Sequence, residues 1–135
     1  MILIIDGQGG GIGARLTAAL KADLPNEELL AVGANTQATA AMLRAGATAG
    51  ATGENPVIFN APRAEIITGP AGILLANAMH GEITPAMAAA VSASDALKVL
   101  IPFGKCSLQM AGVEPLSIEE YVRRAVSAIL ERIGK

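Results

Sequence analysis

The glycine-rich segment at residues 7–13, which reads Gly-Gln-Gly-Gly-Gly-Ile-Gly, is the part of this sequence whose residue types best suit ligand chemistry. The apolar residues 2–5 precede it and predict a strand that is buried on both faces. Ile12, Leu16 and Leu20 then recur at helical spacing, which predicts a helix directly after the glycines. A glycine turn between a strand and a helix lets backbone N–H groups reach an anion where the helix carries partial positive charge. The segment is therefore predicted to bind a phosphate; the alternative is that its glycines only form a tight turn.

The spacing Gly7-x-x-x-Gly11-Ile12-Gly13 resembles the phosphate loop of short-chain dehydrogenases more closely than the G-x-G-x-x-G pattern. This resemblance implies NAD or NADP as the cofactor. In dinucleotide-binding folds an acidic residue after the second strand binds the ribose hydroxyls, but the second predicted strand here leads to Asn35. Asn35 could hydrogen-bond a ribose or an adenine, and the missing negative charge would tolerate a 2′-phosphate. The catalytic tyrosine–lysine pair of those enzymes is absent, since Ala125 stands four positions after Tyr121.

Residues 65–72 repeat the design of a short apolar run followed by glycines, which predicts a second ligand loop. In an open parallel sheet, ligands bind outside the carboxyl ends of the strands, where the two loops and the end of the second strand should meet. Residues 52–55 and 103–106 are expected at the same rim. The residues predicted to bind the cofactor are Asp6, Gly7, Gln8, Gly9, Gly10, Gly11, Ile12, Gly13, Asn35, Thr36, Thr68, Gly69, Pro70 and Gly72.

The titratable side chains give only weak catalytic candidates. His80 has an unperturbed pKa near neutrality and Glu82 follows two positions later, so the pair could act as an acid and a base. The plainer interpretation, a surface loop or a subunit contact, is favoured for His80. Glu54 lies among small residues with no structural demand for a carboxylate, although an exposed acid ordinarily faces solvent. The spacing of His, Cys, Asp and Glu predicts no metal site.

Two further side chains have more than one possible role. Asp6 could contact a ribose or a metal-bound phosphate, or it could accept hydrogen bonds from the N–H groups of the glycine loop, which is the role favoured here. Cys106 lies beside Lys105, which would lower the pKa of a thiol, but a lone cysteine is more often a small buried hydrophobic residue. Cys106 is therefore not predicted to be a nucleophile.

The composition bounds the class of protein. The chain has 135 residues, the size of one domain, and is 52% hydrophobic with only 2% aromatic residues. A net charge of -2 and the scarcity of aromatic side chains argue against a nucleic-acid partner. The single cysteine and the lack of a long apolar stretch or a basic leader predict a soluble, cytoplasmic protein with no membrane partner. Because charged residues make up only 16% of the chain, some apolar surface is expected to be buried between copies, as in a homo-oligomer.

The order of elements predicts an α/β fold. Strand and helix patterns alternate along residues 1–135, with a helix opening at Thr84-Pro85, a late strand at 98–102 and an edge strand at 107–113. A capping box at Ser117 begins a closing helix. The sequence therefore predicts a single three-layer, Rossmann-like domain with an open, mainly parallel sheet and helices on both faces.

The chain also resembles a family of small bacterial proteins described as a domain of unknown function. The resemblance rests on the opening at residues 5–13 and on the short segments at 51–55, 69–70, 81–85 and 101–102, and it covers nearly the whole chain. It implies a Rossmann-like fold and a cytoplasmic protein, without an established activity. Three hypotheses follow: a nucleotide-binding enzyme, a non-catalytic oligomeric sensor or adaptor that binds a nucleotide, and a structural module without a ligand.

Overall fold

The computed structural model describes residues 1–102 and 108–134, which form one five-stranded parallel sheet with helices between the strands. The strands are β1 (Ile2–Asp6), β2 (Leu29–Gly33), β3 (Ala49–Thr52), β4 (Ile66–Pro70) and β5 (Leu97–Ile101). The helices are α1 (Gly11–Asp23), α2 (Thr36–Arg44), α3 (Glu54–Asn60), α4 (Pro85–Ala93) and α5 (Ile118–Arg132). Short 3₁₀ turns lie at Ala61–Arg63 and Ala71–Leu74.

The strand order β3-β2-β1-β4-β5 places β1 at the centre of the sheet. From β1 the chain moves outward to β2 and β3, then returns to the other side of β1 as β4. The order of strands thus reverses between β1 and β4. In open α/β sheets this reversal opens a crevice at the carboxyl ends of the strands, which is the usual place for a ligand.

The two faces of the sheet carry separate hydrophobic cores. Because side chains alternate along a strand, Ile2 and Ile4 of β1 face one core while Leu3 and Ile5 face the other. The first core packs against α1, α2 and α5, and the second packs against α3 and α4. The predicted α/β fold with helices on both faces is confirmed, and the buried side chains are mainly Ile, Leu, Val, Ala and Met.

Helix ends follow the capping residues in the sequence. The side chain of Thr84 accepts a hydrogen bond from the N–H of Met87 at the start of α4, and Ser117 does the same for Glu120 at the start of α5. Each cap satisfies one of the first N–H groups of its helix, which otherwise have no partner inside the helix. Both helices therefore begin where the sequence predicts.

The predicted edge strand at 107–113 is wrong for the residues that are described. Residues 108–113 contain no strand, and the N–H of Val113 closes a turn onto the carbonyl of Met110. Gly112 has a φ of 85°, which breaks an extended conformation. The side chains of Leu108, Met110 and Val113 are all exposed, so no burial drives this segment onto the sheet.

Candidate functional site

The N–H groups of the turn between β1 and α1 fall into two sets. Four of them are paired: those of Gly7 and Gly13 donate to Asp6, that of Gly10 donates to the carbonyl of Gly7, and that of Gln8 donates to Glu82. The other three, in the described part of the chain, have no acceptor; they belong to Gly9, Gly11 and Ile12. These three donors lie at the N-terminus of α1, a 13-residue helix. They can therefore donate to an anion without breaking any hydrogen bond of the fold.

The glycines of this turn also fall into two sets. A Cβ atom would lie 2.6 Å from the sulfur of Met79 at Gly7, 2.8 Å from the backbone of Ala38 at Gly10, and 2.6 Å from the sulfur of Met42 at Gly13. Packing therefore explains why these positions carry glycine.

At Gly9 and Gly11 the described part of the chain leaves the space around a Cβ atom open. No atom of residues 1–102 or 108–134 lies within 4 Å of the ideal Cβ position at either glycine, and neither has a positive φ. Both residues are exposed. Gly11 is the first residue of α1, where glycine costs up to about 1 kcal/mol relative to alanine, and Gly9 lies in the turn before the helix. The fold thus gives no reason for glycine at these two positions, whereas close approach by a ligand does.

The carboxylate of Asp6 is buried beneath the turn. Its Oδ1 accepts the N–H of Gly7 at 2.7 Å and its Oδ2 accepts the N–H of Gly13 at 2.7 Å. The side chain ties the two ends of the glycine segment together, which is the loop-stabilising contact favoured from the sequence. Burial raises the pKa of Asp6 above its usual value of 3.8 and is the largest effect. The hydrogen bonds from Gly13 and Gly7 lower the pKa in part, and the negative charge of Glu82 adds to the increase.

Asp6 is therefore expected to titrate above pH 3.8 in the folded protein. A carboxyl group with a raised folded pKa stabilises the fold most at a pH below its unfolded pKa, and that contribution is lost as the pH rises through the folded value. The measurement is an NMR titration of the side-chain carboxyl carbon of Asp6. In Glu82→Gln the midpoint should fall, because the neighbouring charge is removed. A midpoint at or below 3.8 in the unsubstituted protein would contradict this prediction.

Glu82 lies against the glycine turn although it is 74 residues away from Gln8 in the sequence. Its Oε1 accepts the N–H of Gln8 at 2.6 Å and its Oε2 accepts the side-chain amide of Asn35 at 2.7 Å. The same Asn35 amide also donates to the carbonyl of Gln8 at 2.9 Å, while its Oδ1 caps α2 by accepting the N–H of Ala38. Glu82 and Asn35 therefore form one polar cluster between the ends of β1 and β2.

The backbone turn that carries Glu82 is strained. Asn77, Met79 and His80 all have a φ near 60°. Asparagine adopts this conformation readily, but it costs roughly 1–2 kcal/mol for a residue such as Met79. The turn is closed by a hydrogen bond from the N–H of Asn77 to the carbonyl of Ile83 at 2.7 Å. Such strain persists only where the surrounding structure holds the segment in place. Here it brings both Met79 and Glu82 against Gly7, within contact of the candidate phosphate loop.

The other residues predicted to bind a cofactor lie in different environments. Thr36 is exposed at the first position of α2. Thr68 is fully buried, and its hydroxyl donates to the carbonyl of Val99 in β5 at 2.7 Å. Gly69 and Pro70 belong to β4 rather than to a loop. Gly72 lies in the following 3₁₀ turn, where its Cβ position is 3.6 Å from the terminal methyl group of Met79.

The structure separates the weak catalytic candidates. His80 is exposed, and its ring makes no hydrogen bond with any other described residue, whereas Glu82 is engaged at the glycine turn. Glu54 is exposed and accepts a hydrogen bond from the hydroxyl of Thr84 at 2.6 Å, which ties α3 to the start of α4. Across residues 1–102 and 108–134, no three side chains of His, Cys, Asp or Glu cluster as metal ligands would. Phe103 and Cys106 lie outside the described residues.

Sequence reasoning missed two features of this cluster. It placed Glu82 beside His80 as a catalytic partner, and it did not single out Met79. No local pattern could have revealed either contact, because both depend on how the segment after β4 folds back over Gly7. Gly81 indicates from the sequence only that a turn lies here, and in the structure its φ is 90°.

A groove of about 560 Å³ lies elsewhere, between α1 and α5. Arg15 and Glu119 form an ion pair at its rim, and no residue of the glycine turn lines it. The apolar residues that line it are Ala19, Val122, Val126 and Leu130. The groove is therefore separate from the candidate site.

Comparison with solved structures shows the same fold in a flavoprotein. This chain is similar to a dodecameric FMN-dependent UbiX-like decarboxylase from Escherichia coli O157:H7, with a TM-score of 0.54 and 18% sequence identity. The match covers 100% of this chain and 96% of that protein. Comparison with curated proteins finds no match. The likeness to the decarboxylase concerns the fold, since identity is low.

Comparison with family models identifies the chain over almost its full length. Residues 1–134 match a model that is described as a domain of unknown function, DUF3842. The resemblance noted from the glycine-rich opening and the later short segments is thereby confirmed at the level of the family. This chain belongs to the DUF3842 family.

Proposed function

We propose that this protein binds a nucleotide, with a phosphate group held by the N–H groups of Gly9, Gly11 and Ile12. The observation that carries the proposal is the pair of exposed glycines, Gly9 and Gly11, whose Cβ positions have no neighbour within 4 Å among the described residues. The N–H groups of these two glycines and of Ile12 have no acceptor in the described chain. The location supports the same ligand class, because the turn lies where the strand order reverses.

Two classes of nucleotide are candidates for this site, the nicotinamide dinucleotides and the flavin nucleotides. The glycine spacing favours NAD or NADP by its resemblance to dehydrogenases, whereas the similar solved structure is described as FMN-dependent. Both classes present phosphate to a backbone loop, so the geometry of the turn serves either. The proposal concerns binding and assigns no reaction.

The test is thermal unfolding with and without a saturating panel of NAD, NADP, FAD, FMN, ATP and GTP, all of which carry phosphate. A ligand at a hundredfold excess over its Kd adds about 2.7 kcal/mol, which corresponds to several degrees for a chain of this size. We expect one compound to raise the Tm selectively. An unchanged Tm with every compound, in protein that carries no co-purified ligand, would overturn the proposal for this panel.

We also propose that the protein forms a homo-oligomer. Large hydrophobic side chains are exposed, and among the described residues Phe59 is the most exposed of them at 54%. The similar decarboxylase is a dodecamer, which supports assembly through this fold. Sedimentation equilibrium should give a mass above 13.6 kDa, the mass of one chain, and a single-chain mass at all concentrations would contradict the proposal.

In the described residues, no helix combines the length and the hydropathy needed to cross a membrane.

A further inference from the structure

We propose that Glu82 binds the ribose hydroxyls of the nucleotide and so supplies, from the connection between β4 and α4, the carboxylate that is missing after β2. This inference rests on the proposed function. The usual acidic residue of a dinucleotide site follows the second strand, where this chain has Asn35. The side-chain amide of Asn35 instead holds the carboxylate of Glu82 at 2.7 Å. The fold thus restores an acid to that position from a different segment.

The chemistry of the carboxylate suits two neighbouring hydroxyl groups. Each oxygen of Glu82 accepts one hydrogen bond within the described chain, from Gln8 and from Asn35. A carboxylate has about four lone-pair positions, so each oxygen can accept another donor. The 2′- and 3′-hydroxyls of a ribose are two adjacent donors. They can therefore bind without displacing either contact of the protein.

The position of Glu82 leaves the phosphate donors free. It takes the N–H of Gln8, whereas the N–H groups of Gly9, Gly11 and Ile12 lie further along the turn and bind nothing in the described chain. A carboxylate on those three donors would repel a phosphate. Beside them, it instead separates a site for a neutral sugar from a site for an anion.

Glu82 is also held in place before any ligand binds. Its own N–H donates to the carbonyl of Met79 at 3.1 Å, and the N–H of Ile83 donates to the carbonyl of Ala78 at 3.2 Å. Ile83 is fully buried. These contacts hold the backbone, while Gln8 and Asn35 hold the two carboxylate oxygens. The side chain therefore loses little rotamer freedom when a ribose binds, which favours recognition.

The experiment is isothermal titration calorimetry with ADP, 2′,3′-dideoxy-ADP and inorganic pyrophosphate. The dideoxy compound lacks both hydroxyls and so cannot make the hydrogen bonds to the carboxylate. Because hydrogen bonds to a charged group are strong, the intact protein should bind ADP about tenfold to a hundredfold more tightly than the dideoxy compound. In Glu82→Gln this preference should fall to about threefold or less, with pyrophosphate affinity nearly unchanged. Glu65→Gln is the matched control, because it removes an exposed acid just before the amino end of β4 and should keep the full preference.

The outcomes separate this inference from the proposed function. Equal binding of ADP and the dideoxy compound by the intact protein would overturn the role of Glu82 and leave nucleotide binding intact. Tighter binding of all three compounds by Glu82→Gln, pyrophosphate included, would show that Glu82 competes with phosphate and would also overturn it. No binding of any compound to the intact protein would overturn both. If Glu82→Gln does not fold, Glu82→Asp provides the test, since it keeps the charge but withdraws the carboxylate by one methylene.

Discussion

Replacing Gly69 by alanine is expected to lower the free energy of unfolding by about 3 kcal/mol or more. A Cβ atom at this position would lie 2.1 Å from the carbonyl oxygen of Ile5 in the neighbouring strand. The carbonyl oxygen is part of the backbone of β1, and the Cβ atom would be bonded directly to the backbone of β4. Neither atom can therefore move away as the end of a flexible side chain would. Alanine would therefore force β1 and β4 apart at the end of the sheet that carries the glycine turn. Urea denaturation followed by circular dichroism measures the loss.

Gly72→Ala is the matched control for Gly69→Ala. Gly72 lies three positions later, and its Cβ position has ordinary contacts at 3.5 and 3.6 Å from Ala78 and Met79. We expect its unfolding free energy to stay within about 1 kcal/mol of the unsubstituted protein. Equal stability of Gly69→Ala and Gly72→Ala would contradict the close approach of Gly69 to β1.

The contrast at Gly69 shows what a glycine motif can and cannot tell. The sequence predicted Gly69 as part of a ligand loop, because glycine after an apolar run often marks close approach by a phosphate. In the structure the close approach at Gly69 comes from the carbonyl of Ile5. At such a position, glycine indicates only that another atom lies close to where a Cβ would be. Which atom lies there depends on the packing of strands that are distant in sequence.

The fold followed from local patterns because its elements are locally consistent. The apolar runs of β1 and β2 are long enough to predict buried strands, and Thr84 and Ser117 cap the helices that they precede. The region at 47–60 was harder to predict because it is short and rich in small residues. There β3 has four residues, and α3 begins after Gly53 with Pro56 in its first turn, where proline is tolerated.

The candidate site was only half predictable for a related reason. Its phosphate loop is one continuous segment, so the spacing of the glycines and of Ile12 indicated it directly. Its second half is a contact between Gln8, Asn35 and Glu82, three residues that share no sequence neighbourhood. The segment that directly follows β2 contains Asn35 but no acidic residue that could bind a ribose. The carboxylate comes from a strained turn whose path is set by tertiary packing.

Gly11→Val is expected to abolish nucleotide binding while the protein folds normally. No atom of the described residues lies within 4 Å of the Cβ position of Gly11. The residue is exposed at the first position of α1 with a negative φ, so a valine side chain fits without strain. The same side chain would fill the space that a phosphate must enter to reach the N–H groups of Gly11 and Ile12. We expect a loss of affinity of about a hundredfold or more, which corresponds to about 2.7 kcal/mol. Calorimetry with the ligand identified by the thermal panel measures it.

Ala18→Val controls for the addition of valine to α1. Ala18 is exposed on the same helix two turns beyond the glycine segment, so this variant should keep both the fold and the affinity. Gly11→Ala should lie between the two, because one methyl group narrows the approach without closing it. If Gly11→Val folds and binds the nucleotide as tightly as Ala18→Val does, the phosphate does not lie on this turn. Loss of the fold in Gly11→Val but not in Ala18→Val would instead show that Gly11 serves packing, as Gly7, Gly10 and Gly13 do.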